Sequence, residues 1–472
     1  MPQIHFGTDG WRGVIAEEFT FANVRLVARA VAGHFLRAGP HPVRLIVGHD
    51  TRFLSREFAE AAARSLAAAG VEPTLTTGFA PTPAISYTVR AQGAAGGVVI
   101  TASHNPPCYN GFKVKTAAGG SAPEEVTAAV EAEIRALQAS GLPPEAASNT
   151  PVPLVDPAPA YFDALKRFLT VEAFRGTRLQ VVVDPMYGAG QGCLVALLGQ
   201  LGIQAEEIHG EPNPGFGGLQ PEPIPPHLDA LMARVRQRAG ASRVGLALDG
   251  DADRAGAVDE AGRFVNAHQI FALLLHHLVH DRGSRGTVVK TFSTTDMIDK
   301  LARAAGIECR VTPIGFKHIA PLMLDGSVLM GGEESGGIGY RGHIPERDGL
   351  LTCLLLLELM AVRGRGLGEL VRDLQREVGP HHYHRLDLEV PSIPHGRQRL
   401  EQLRAHPPAA PPGMPLTALE ELDGLKLRFA DGSWLLLRPS GTEPIFRVYA
   451  EAPDEDRLTT LLAFGRALAN PA

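Results

Sequence analysis

The chain has 472 residues, of which 44% are hydrophobic and 20% charged, which excludes a disordered or fibrous protein and predicts about three or four folded domains. Its 45 basic and 51 acidic residues give a net charge of −6 without a block of like charge, so nucleic acid and anionic membranes are not expected partners. The longest apolar run, Leu350 to Val362, contains Glu358 and is shorter than the roughly 20 residues of a membrane span.

Cysteine usage and the first residues indicate a reducing compartment. The four cysteines show no CxxC spacing, so neither a zinc site nor a disulfide framework is expected: Cys108, Cys193, Cys309 and Cys353. Met1 to Gly13 carries charged residues and has no apolar segment typical of a secretory signal. We therefore expect a cytoplasmic protein.

Short aliphatic runs that end in polar loops predict buried strands at Arg44–Val47, Gly97–Ile100, Gln180–Val183, Val244–Leu248 and Thr287–Val289. Amphipathic stretches between them predict helices at Phe21–Ala38, Arg56–Ala69, Pro123–Gln138, His268–His280 and Thr295–Ala305. This alternation indicates an α/β protein with mixed, mostly parallel sheets. The tail, with strands at 434–437 and 445–450 and a helix from Pro453, predicts a smaller α+β unit.

Composition shifts predict the domain boundaries. The Pro- and Ala-rich stretch Ser140–Ala160 suits a linker, a second boundary is expected just after residues 249–254, and a third near Gly379–His384. The predicted domains are 1–150, 151–256, 257–376 and 377–472.

Two loops in the first domain are candidate sites. Phe6–Gly13 places Arg12 among glycines and is ambiguous alone. After the strand that ends at Ile100, Thr101–Lys113 places Ser103 where a nucleophile would stand, next to His104. A polar turn fixed by asparagine and two prolines is an equally good interpretation of this segment by itself.

The strongest signal is the sequence Asp249-Gly-Asp251-Ala-Asp253-Arg254 after an apolar strand. In extended backbone, alternate side chains share a face, so three carboxylates would converge and need a divalent cation, for which Mg²⁺ is favoured. The start of a calcium-binding EF-hand loop is an alternative, since Glu260 falls at its twelfth position, but Arg254 stands where that loop requires glycine. A solvated acidic turn is a third interpretation.

Lysine is rare in this chain, since 38 of the 45 basic residues are arginine. Where lysine is used, a titratable ammonium is favoured over a guanidinium. Three lysines fall in candidate loops and are predicted to act there: Lys113, Lys290 at a strand end, and Lys317 in the segment Gly315-Phe316-Lys317.

Two further loops suit a phosphorylated sugar. The glycine-rich loop 331–339 carries Glu333 and Ser335, which could read sugar hydroxyls, although a simple hairpin explains it nearly as well. The loop 438–444, followed by Arg447, offers a guanidinium, hydroxyls and backbone N–H groups that suit a phosphate dianion, with a plain strand-to-strand turn as the alternative.

Together, these loops resemble those of the α-D-phosphohexomutase family, over essentially the whole chain. The resemblance implies three related α/β domains and a smaller fourth domain around a central cleft. It implies that Ser103 is the phosphorylated serine and also contacts the Mg²⁺ held by Asp249, Asp251 and Asp253. The expected catalytic candidates are Ser103, His104, Lys113, Arg12 and Arg347, and the expected substrate-binding residues are Arg254, Lys290, Gly315, Lys317, Glu333, Ser335, Arg438, Ser440, Gly441, Thr442 and Arg447.

Three positions depart from the family pattern. Gly337 stands where some relatives have a histidine, Arg347 where the glucose-type branch has a lysine, and Cys108 where an acidic or polar residue is usual. The first two departures affect the choice of the general acid or base.

The predicted function is interconversion of glucose 1-phosphate and glucose 6-phosphate, and also of mannose phosphates, with glucose 1,6-bisphosphate as intermediate and activator. A phosphoglucosamine mutase, a phosphosugar phosphatase and a non-catalytic sugar-phosphate sensor are the alternatives. The expected partner is a hexose phosphate, and the expected assembly is a monomer or a homodimer.

Overall fold

The computed structural model describes residues 4–7, 9–39, 41–140, 151–238, 240, 242–441 and 443–469. The chain forms two compact units. The first unit comprises Met1–Val288 and Gly315–Val371, and the second comprises Val289–Ile314 and Arg372–Ala472.

The helices of the described residues are α1 (Phe21–Ala38), α2 (Ser55–Ala68), α3 (Thr82–Ala91), α4 (Glu124–Ala139), α5 (Ala158–Phe168), α6 (Cys193–Gln200), α7 (Asp229–Gln237), α8 (Ala267–His276), α9 (Met297–Ala305), α10 (Gly349–Arg363), α11 (Leu367–Val378), α12 (Ile393–Ala405) and α13 (Glu455–Ala469). Side-chain caps fix several starts: Thr20 caps α1, Asn266 and Gln269 form a capping box at α8, and Asp348 caps α10.

The strands are β1 (Trp11–Val14), β2 (Arg44–His49), β3 (Glu72–Thr76), β4 (Gly96–Ile100), β5 (Tyr109–Thr116), β6 (Leu154–Val155), β7 (Gln180–Asp184), β8 (Ala205–Glu207), β9 (Arg243–Leu248), β10 (Ala255–Val258), β11 (Phe264–Val265), β12 (Thr287–Thr291), β13 (Cys309–Thr312), β14 (Val328–Gly332), β15 (Ile338–Tyr340), β16 (His382–Glu389), β17 (Leu416–Glu420), β18 (Leu425–Phe429), β19 (Trp434–Pro439) and β20 (Ile445–Ala452).

Two mixed sheets organise the first unit. The six-stranded sheet has the order β1-β5-β4-β2-β3-β6, with β2, β3, β4 and β6 parallel and β1 and β5 antiparallel to their neighbours. The five-stranded sheet has the order β11-β10-β9-β7-β8, in which β7, β8 and β9 are parallel. Strands β14 and β15 form an antiparallel hairpin. The loops after β4 and β9 begin where buried strands end.

The second unit contains a five-stranded antiparallel sheet of order β16-β20-β19-β18-β17. Helices α12 and α13 cover its apolar core, which includes Leu403, Leu435, Phe446, Val448 and Leu461. This is the α+β unit that the tail sequence predicts.

The predicted elements are found within a few residues of their expected ends, because buried aliphatic runs and amphipathic periods determine them locally. Helix α8 is shorter than predicted, and a π-helical turn follows it at His277–Asp281. The predicted linker 140–160 is partly wrong: residues 141–150 lie outside the described residues, but β6 and the first turn of α5 fall within it. Proline at the first turn of a helix is favourable, which is how α5 begins in a proline-rich segment.

No helix of the described ranges is long and apolar enough to cross a membrane.

Candidate active site

Ser103 lies in a tight turn at the carboxyl end of β4, in the first unit. Its backbone is left-handed, with φ at 52°, and its amide donates a hydrogen bond to Thr101 Oγ1 at 2.9 Å. The buried hydroxyl donates to Asp249 Oδ2 at 2.7 Å, and His104 Nδ1 lies 3.5 Å from the same hydroxyl oxygen. The serine hydroxyl is therefore directed at the acidic loop that follows β9.

The acidic loop brings its three carboxylates together by curling rather than by extension. Asp249 Oδ1 accepts hydrogen bonds from the backbone N–H groups of Asp253 at 3.0 Å and Arg254 at 3.1 Å, and Ala252 has a φ of 59°. The expected convergence of carboxylates is found, but the extended geometry from which it was predicted is wrong. One oxygen from each of the three aspartates lies within 4.8 Å of the others.

Gly250 allows the serine loop and the acidic loop to touch. A Cβ atom at this position would lie 2.3 Å from the carbonyl oxygen of Ser103, closer than any side chain permits. Glycine is therefore required here by the contact between the two loops.

The donor set fits a hard divalent cation. Asp251 Oδ1 and Asp253 Oδ1 are buried and have no hydrogen-bond partner among the described residues. Burial, followed by the charges of Asp253 and Asp251, raises the pKa of Asp249 well above its usual range. Three converging carboxylates, two of which keep an oxygen without a hydrogen bond, form the kind of donor set that Mg²⁺ prefers.

The calcium-loop alternative is wrong. Strand β9 precedes the acidic loop and β10 follows it, instead of two helices. Glu260, the expected twelfth ligand, accepts a hydrogen bond from the amide of Gly368 at 2.8 Å. The loop therefore does not have the helix–loop–helix geometry of an EF-hand.

Lys113, on β5, supplies a buried ammonium beside the carboxylates. Its Nζ lies 2.8 Å from Asp251 Oδ2, 3.1 Å from Asp253 Oδ2 and 2.7 Å from Asp9 Oδ2. Burial lowers the pKa of Lys113, but the attraction of Asp251, Asp253 and Asp9 outweighs burial, so the pKa is raised. In this arrangement Lys113 is protonated, and its ammonium neutralises part of the negative charge of the cluster.

Arg347 faces the same cluster from the loop before α10. Its guanidinium contacts Asp253 Oδ2 at 2.8 Å and Glu333 Oε2 at 3.2 Å, and it also pairs with Asp9. Burial lowers the pKa of Arg347, but the charges of Asp253 and Asp9 outweigh burial. The pKa is therefore raised well above its usual value, and the group stays charged. Such a group stabilises negative charge and does not release a proton.

The two departures at positions 337 and 347 are sterically linked. A Cβ atom at Gly337 would lie 2.2 Å from Cδ of Arg347 and 2.8 Å from its Cγ. The arginine side chain thus fills the space that a side chain at position 337 would need. A histidine there is incompatible with Arg347 as it lies in this structure.

The sugar-reading candidates lie on the β14–β15 hairpin. Burial raises the pKa of Glu333 to about 7, although Arg347 opposes this shift. Ser335 Oγ is buried without a hydrogen-bond partner among the described residues. Both groups retain hydrogen-bonding capacity that a ligand hydroxyl could use.

Two arginines flank these loops. Arg12 donates to Asn105 Oδ1 at 2.6 Å, and burial lowers its pKa. Arg254 Nε lies 3.7 Å from Asp253 Oδ1 and 4.0 Å from Asp249 Oδ2. Both place positive charge near the serine and acidic loops.

The remaining predicted residues lie elsewhere. Lys317 forms an ion pair with Glu124 at 3.4 Å, and Gly315 has a φ of 125° at the start of a short 3₁₀ turn. Lys290 belongs to the second unit, is buried, and contacts Asp296 at 3.2 Å and also Asp299. Its predicted substrate-binding role therefore has no support from its surroundings.

The predicted phosphate loop also lies in the second unit, between β19 and β20. Arg438 pairs with Asp423 at 2.8 Å, and Arg447 with Glu443 at 3.0 Å. Ser440 Oγ accepts from the amide of Glu443 at 3.2 Å. A Cβ atom at Gly441 would meet no heavy atom within 4 Å, whereas Thr442 lies outside the described residues.

Several residues of the site were not found from sequence. Asp9 pairs with Lys113 and Arg347, and Thr82 Oγ1 donates to Asp251 Oδ2 at 2.5 Å. Arg52 follows β2 and contacts the serine loop. The sequence did contain a signal for Arg52, because a polar loop follows the apolar run that ends at Val47, as in the loops of Ser103 and Asp249.

The fold and the site define a phosphoryl-transfer enzyme of the phosphohexomutase class, and the comparisons agree. Models of phosphoglucomutase/phosphomannomutase match all four domains: alpha/beta/alpha domain I at residues 3–140, domain II at 159–262, domain III at 266–378, and the C-terminal domain at 397–466. The chain belongs to the phosphoglucomutase/phosphomannomutase family. Its members are isomerases that transfer a phosphoryl group within the substrate.

Individual relatives differ in their substrate names. The chain is 32% identical to a phosphoglucomutase/phosphomannomutase of Thermococcus kodakarensis, covering 99% of this chain and 98% of the relative. It is 35% identical to a phosphoglucosamine mutase of Frankia alni, over 95% of this chain and 94% of the relative. A solved structure described as a putative phosphomannomutase from Thermus thermophilus is 39% identical, has a TM-score of 0.87 and covers 99% of both chains.

Proposed function

We propose that this chain interconverts glucose 1-phosphate and glucose 6-phosphate, and also converts mannose phosphates, through a phosphorylated Ser103. The observation that carries the proposal is the 2.7 Å hydrogen bond from Ser103 Oγ to Asp249 Oδ2 inside the three-aspartate cluster. A serine hydroxyl held against a cation site is arranged to give and receive a phosphoryl group.

In each half of the reaction, the phosphoryl group moves between Ser103 Oγ and a sugar hydroxyl oxygen. The P–O bond to one oxygen breaks as the P–O bond to the other forms. The attacking hydroxyl loses a proton and the oxygen released from phosphorus gains one. Lys113 is the proposed carrier: it gives a proton to the released oxygen and regains one from the attacking hydroxyl, so it ends each half-reaction protonated. Arg347 and Arg254 stabilise the negative charge of the transferring group.

The cation would be held by Asp249, Asp251 and Asp253. A bound Mg²⁺ supplies charge neutralisation for the phosphoryl oxygens. One oxygen of Asp251 and one of Asp253 accept no hydrogen bond among the described residues, which supports this assignment.

Isomerisation requires the sugar to be held by either phosphate. The bisphosphorylated intermediate, glucose 1,6-bisphosphate, must be turned around and rebound before the second transfer. We assign the distal phosphate to Arg438, Ser440, Gly441, Thr442 and Arg447. A phosphatase would not need this second anchor, and a sugar-phosphate sensor would not need Ser103 and the three aspartates together.

Glucose is the favoured substrate because of the hairpin sequence. In the resemblance, Glu333 and Ser335 read the 3- and 4-hydroxyls, which glucose and mannose share. The loop has Glu334 and Gly337 instead of the Gln and His associated with glucosamine phosphates. Glucose and mannose phosphates are therefore expected within about two orders of magnitude of each other in kcat/KM, since no group that reads C2 is assigned.

A phosphoglucosamine mutase is the second candidate, and the identity of 35% to the Frankia alni relative favours it. Measuring kcat/KM for glucose, mannose and glucosamine 1-phosphates side by side separates the two. We expect glucose first and mannose second. A clear preference for glucosamine 1-phosphate would overturn the glucose assignment. A difference in kcat/KM between glucose and mannose larger than about two orders of magnitude would show that a residue not assigned here reads C2.

A further inference from the structure

Arg52 lies in the loop after β2, and its side chain is completely buried in the first unit. All five N–H donors of its guanidinium have an acceptor. Nε donates to Asp50 Oδ2 at 3.1 Å, Nη1 to the carbonyls of Pro106 at 2.8 Å and Tyr109 at 3.0 Å, and Nη2 to the carbonyls of Ser103 at 2.6 Å and Asn105 at 2.7 Å. The donor capacity of the side chain is therefore fully used.

Three of the four carbonyls belong to the loop that carries Ser103, and the fourth is that of Tyr109, the residue with which β5 begins. Pro106 and Pro107 remove two amide donors from this loop. Its internal hydrogen bonds include Ser103 N to Thr101 Oγ1 and Asn105 N to Ala102 O, and neither of them restrains the carbonyl of Ser103. Ser103 also holds the left-handed φ of 52°, a conformation that is strained for a residue other than glycine. A loop of this kind needs external contacts to keep one conformation.

Arg52 is itself held in place. Asp50 Oδ1 accepts from the Arg52 amide at 3.0 Å and from Ser55 Oγ at 2.6 Å, and Asn110 donates to Ser55 Oγ at 2.9 Å. On one face of the guanidinium, the Phe216 ring centroid lies 4.9 Å from Cζ. Its orientation is thus fixed by an ion pair, a hydrogen-bond network and an aromatic ring.

We propose that Arg52 is a positioning residue for phosphoryl transfer, which fixes the backbone of the Ser103 loop so that Oγ stays directed at Asp249. This inference rests on the proposed function of Ser103 as the phosphoryl acceptor. Small displacements of a reacting oxygen reduce the rate of transfer strongly without changing substrate binding in proportion.

Lysine cannot replace the guanidinium here. An ammonium has three donors on a point charge, whereas the site presents five acceptors in the plane of a fork. Arg52→Lys would leave at least two of the five acceptors without their donor. The charge would be retained, so the variant tests geometry rather than electrostatics.

Arg282 provides a matched control in the same unit. It pairs with Glu358 at 2.5 Å, donates to the carbonyl of Phe168 at 3.1 Å, and lies 5.5 Å from the Phe168 ring centroid. It therefore combines an ion pair, a backbone carbonyl and an aromatic face, as Arg52 does, but contacts no residue of the serine loop among the contacts described. Arg282→Lys should lower thermal stability and leave kcat within about threefold of wild type.

The test measures steady-state kcat and KM, and the single-turnover rate of phosphoryl transfer from glucose 1,6-bisphosphate to Ser103. For Arg52→Lys we expect both kcat and the transfer rate to fall about 100-fold, with KM within about threefold. If Arg52→Lys does not fold, Asp50→Asn, which weakens the Nε contact, should lower the transfer rate about tenfold. In Arg52→Ala, added guanidinium ion should restore part of kcat, whereas ammonium ion should not.

The outcomes separate this inference from the function on which it rests. If wild-type Ser103 takes no phosphoryl group, the proposed function is overturned and the inference with it. If the wild type is phosphorylated and a folded Arg52→Lys or Asp50→Asn variant is phosphorylated at the same rate, the inference alone is overturned. A transfer rate that falls as much in Arg282→Lys would show that Arg52 acts only through global stability.

Discussion

Two buried clusters in this protein use the same residue types for different purposes. The aspartate cluster of the first unit contains Asp249, Asp251, Asp253 and Lys113, and the lysine cluster of the second unit contains Lys290, Lys426, Asp296 and Arg428. In the aspartate cluster, one oxygen of Asp251 and one of Asp253 are buried without a hydrogen-bond partner among the described residues. In the lysine cluster, Asp296 pairs through one oxygen with Lys290 at 3.2 Å and through the other with Arg428 at 2.7 Å.

The two clusters differ in whether their carboxylate oxygens still have hydrogen-bonding capacity that no protein group uses. Buried polar groups are normally satisfied, so unpaired carboxylate oxygens indicate a ligand, whereas a fully paired aspartate indicates a structural role. The lysine cluster also seats Lys426 on Trp434, with Nζ 3.9 Å from the ring centroid. Residue type and burial alone do not distinguish a reaction site from a structural ion-pair network.

The largest expected effect is at Ser103. Ser103→Ala removes the oxygen that carries the phosphoryl group, so mutase activity should fall by a factor on the order of 10⁴ or more. The control is Ser86→Ala, a buried serine on α3 whose hydroxyl has no partner among the described residues. Steady-state assays with saturating sugar bisphosphate decide the comparison, and near-wild-type turnover by Ser103→Ala would remove the serine from the mechanism.

Asp251 of the aspartate cluster and Asp296 of the lysine cluster can be compared directly by the same substitution. Asp251→Asn should lower activity about 100-fold or more, because it weakens the cation site. Asp296→Asn should keep activity within about threefold but lower the free energy of unfolding by about 3 kcal/mol, because the buried Lys290 loses a counter-charge. Activity assays and denaturation curves of both variants measure the two effects. Equal effects of both substitutions on activity would erase the distinction between the clusters.

The smallest expected effect is at Lys426, whose titration should change the free energy of unfolding with pH. Burial, followed by repulsion from Lys290, lowers its pKa from 10.5 to about 7, although Asp296 opposes the shift. A lysine with a depressed pKa in the folded state favours folding at high pH, and this contribution is lost as the pH falls toward 7. Between pH 7 and 9, the wild type should gain about 2 kcal/mol relative to Lys426→Met.

This gain can be measured by urea unfolding followed through Trp434 fluorescence in a Trp11→Phe background. Trp434 lies against Lys426, and the chain has two tryptophans, so the signal reports the second unit. A stability difference that does not change with pH would show that Lys426 titrates normally.

Sequence reasoning was successful where the information is local. The apolar runs before Ser103 and Asp249 predicted both strands, and the polar loops after them contain the candidate residues that the structure brings into contact. Lys290 shows the limit: like Lys113, it stands in a buried β-strand near a polar loop, but its partners come from α9 and its preceding turn, and only the folded chain places them there. The polar loop after Val47 marked the position of Arg52, but its role was missed because its acceptors are mostly backbone carbonyls, which side-chain motifs do not reveal.

The steric link between Gly337 and Arg347 was equally hidden. Each position could be recognised as a departure from the family pattern, but the two lie ten positions apart in the chain. Only the packing of the Arg347 side chain into the space beside Gly337 shows that the two departures form one change.

The most direct test of the account is the mass of the intact protein after incubation with glucose 1,6-bisphosphate and Mg²⁺, followed by peptide mapping. We expect one added phosphoryl group, located on Ser103, and no addition when EDTA is present. A protein that remains unmodified with Mg²⁺, or that carries the phosphoryl group on another residue, would contradict the central claim.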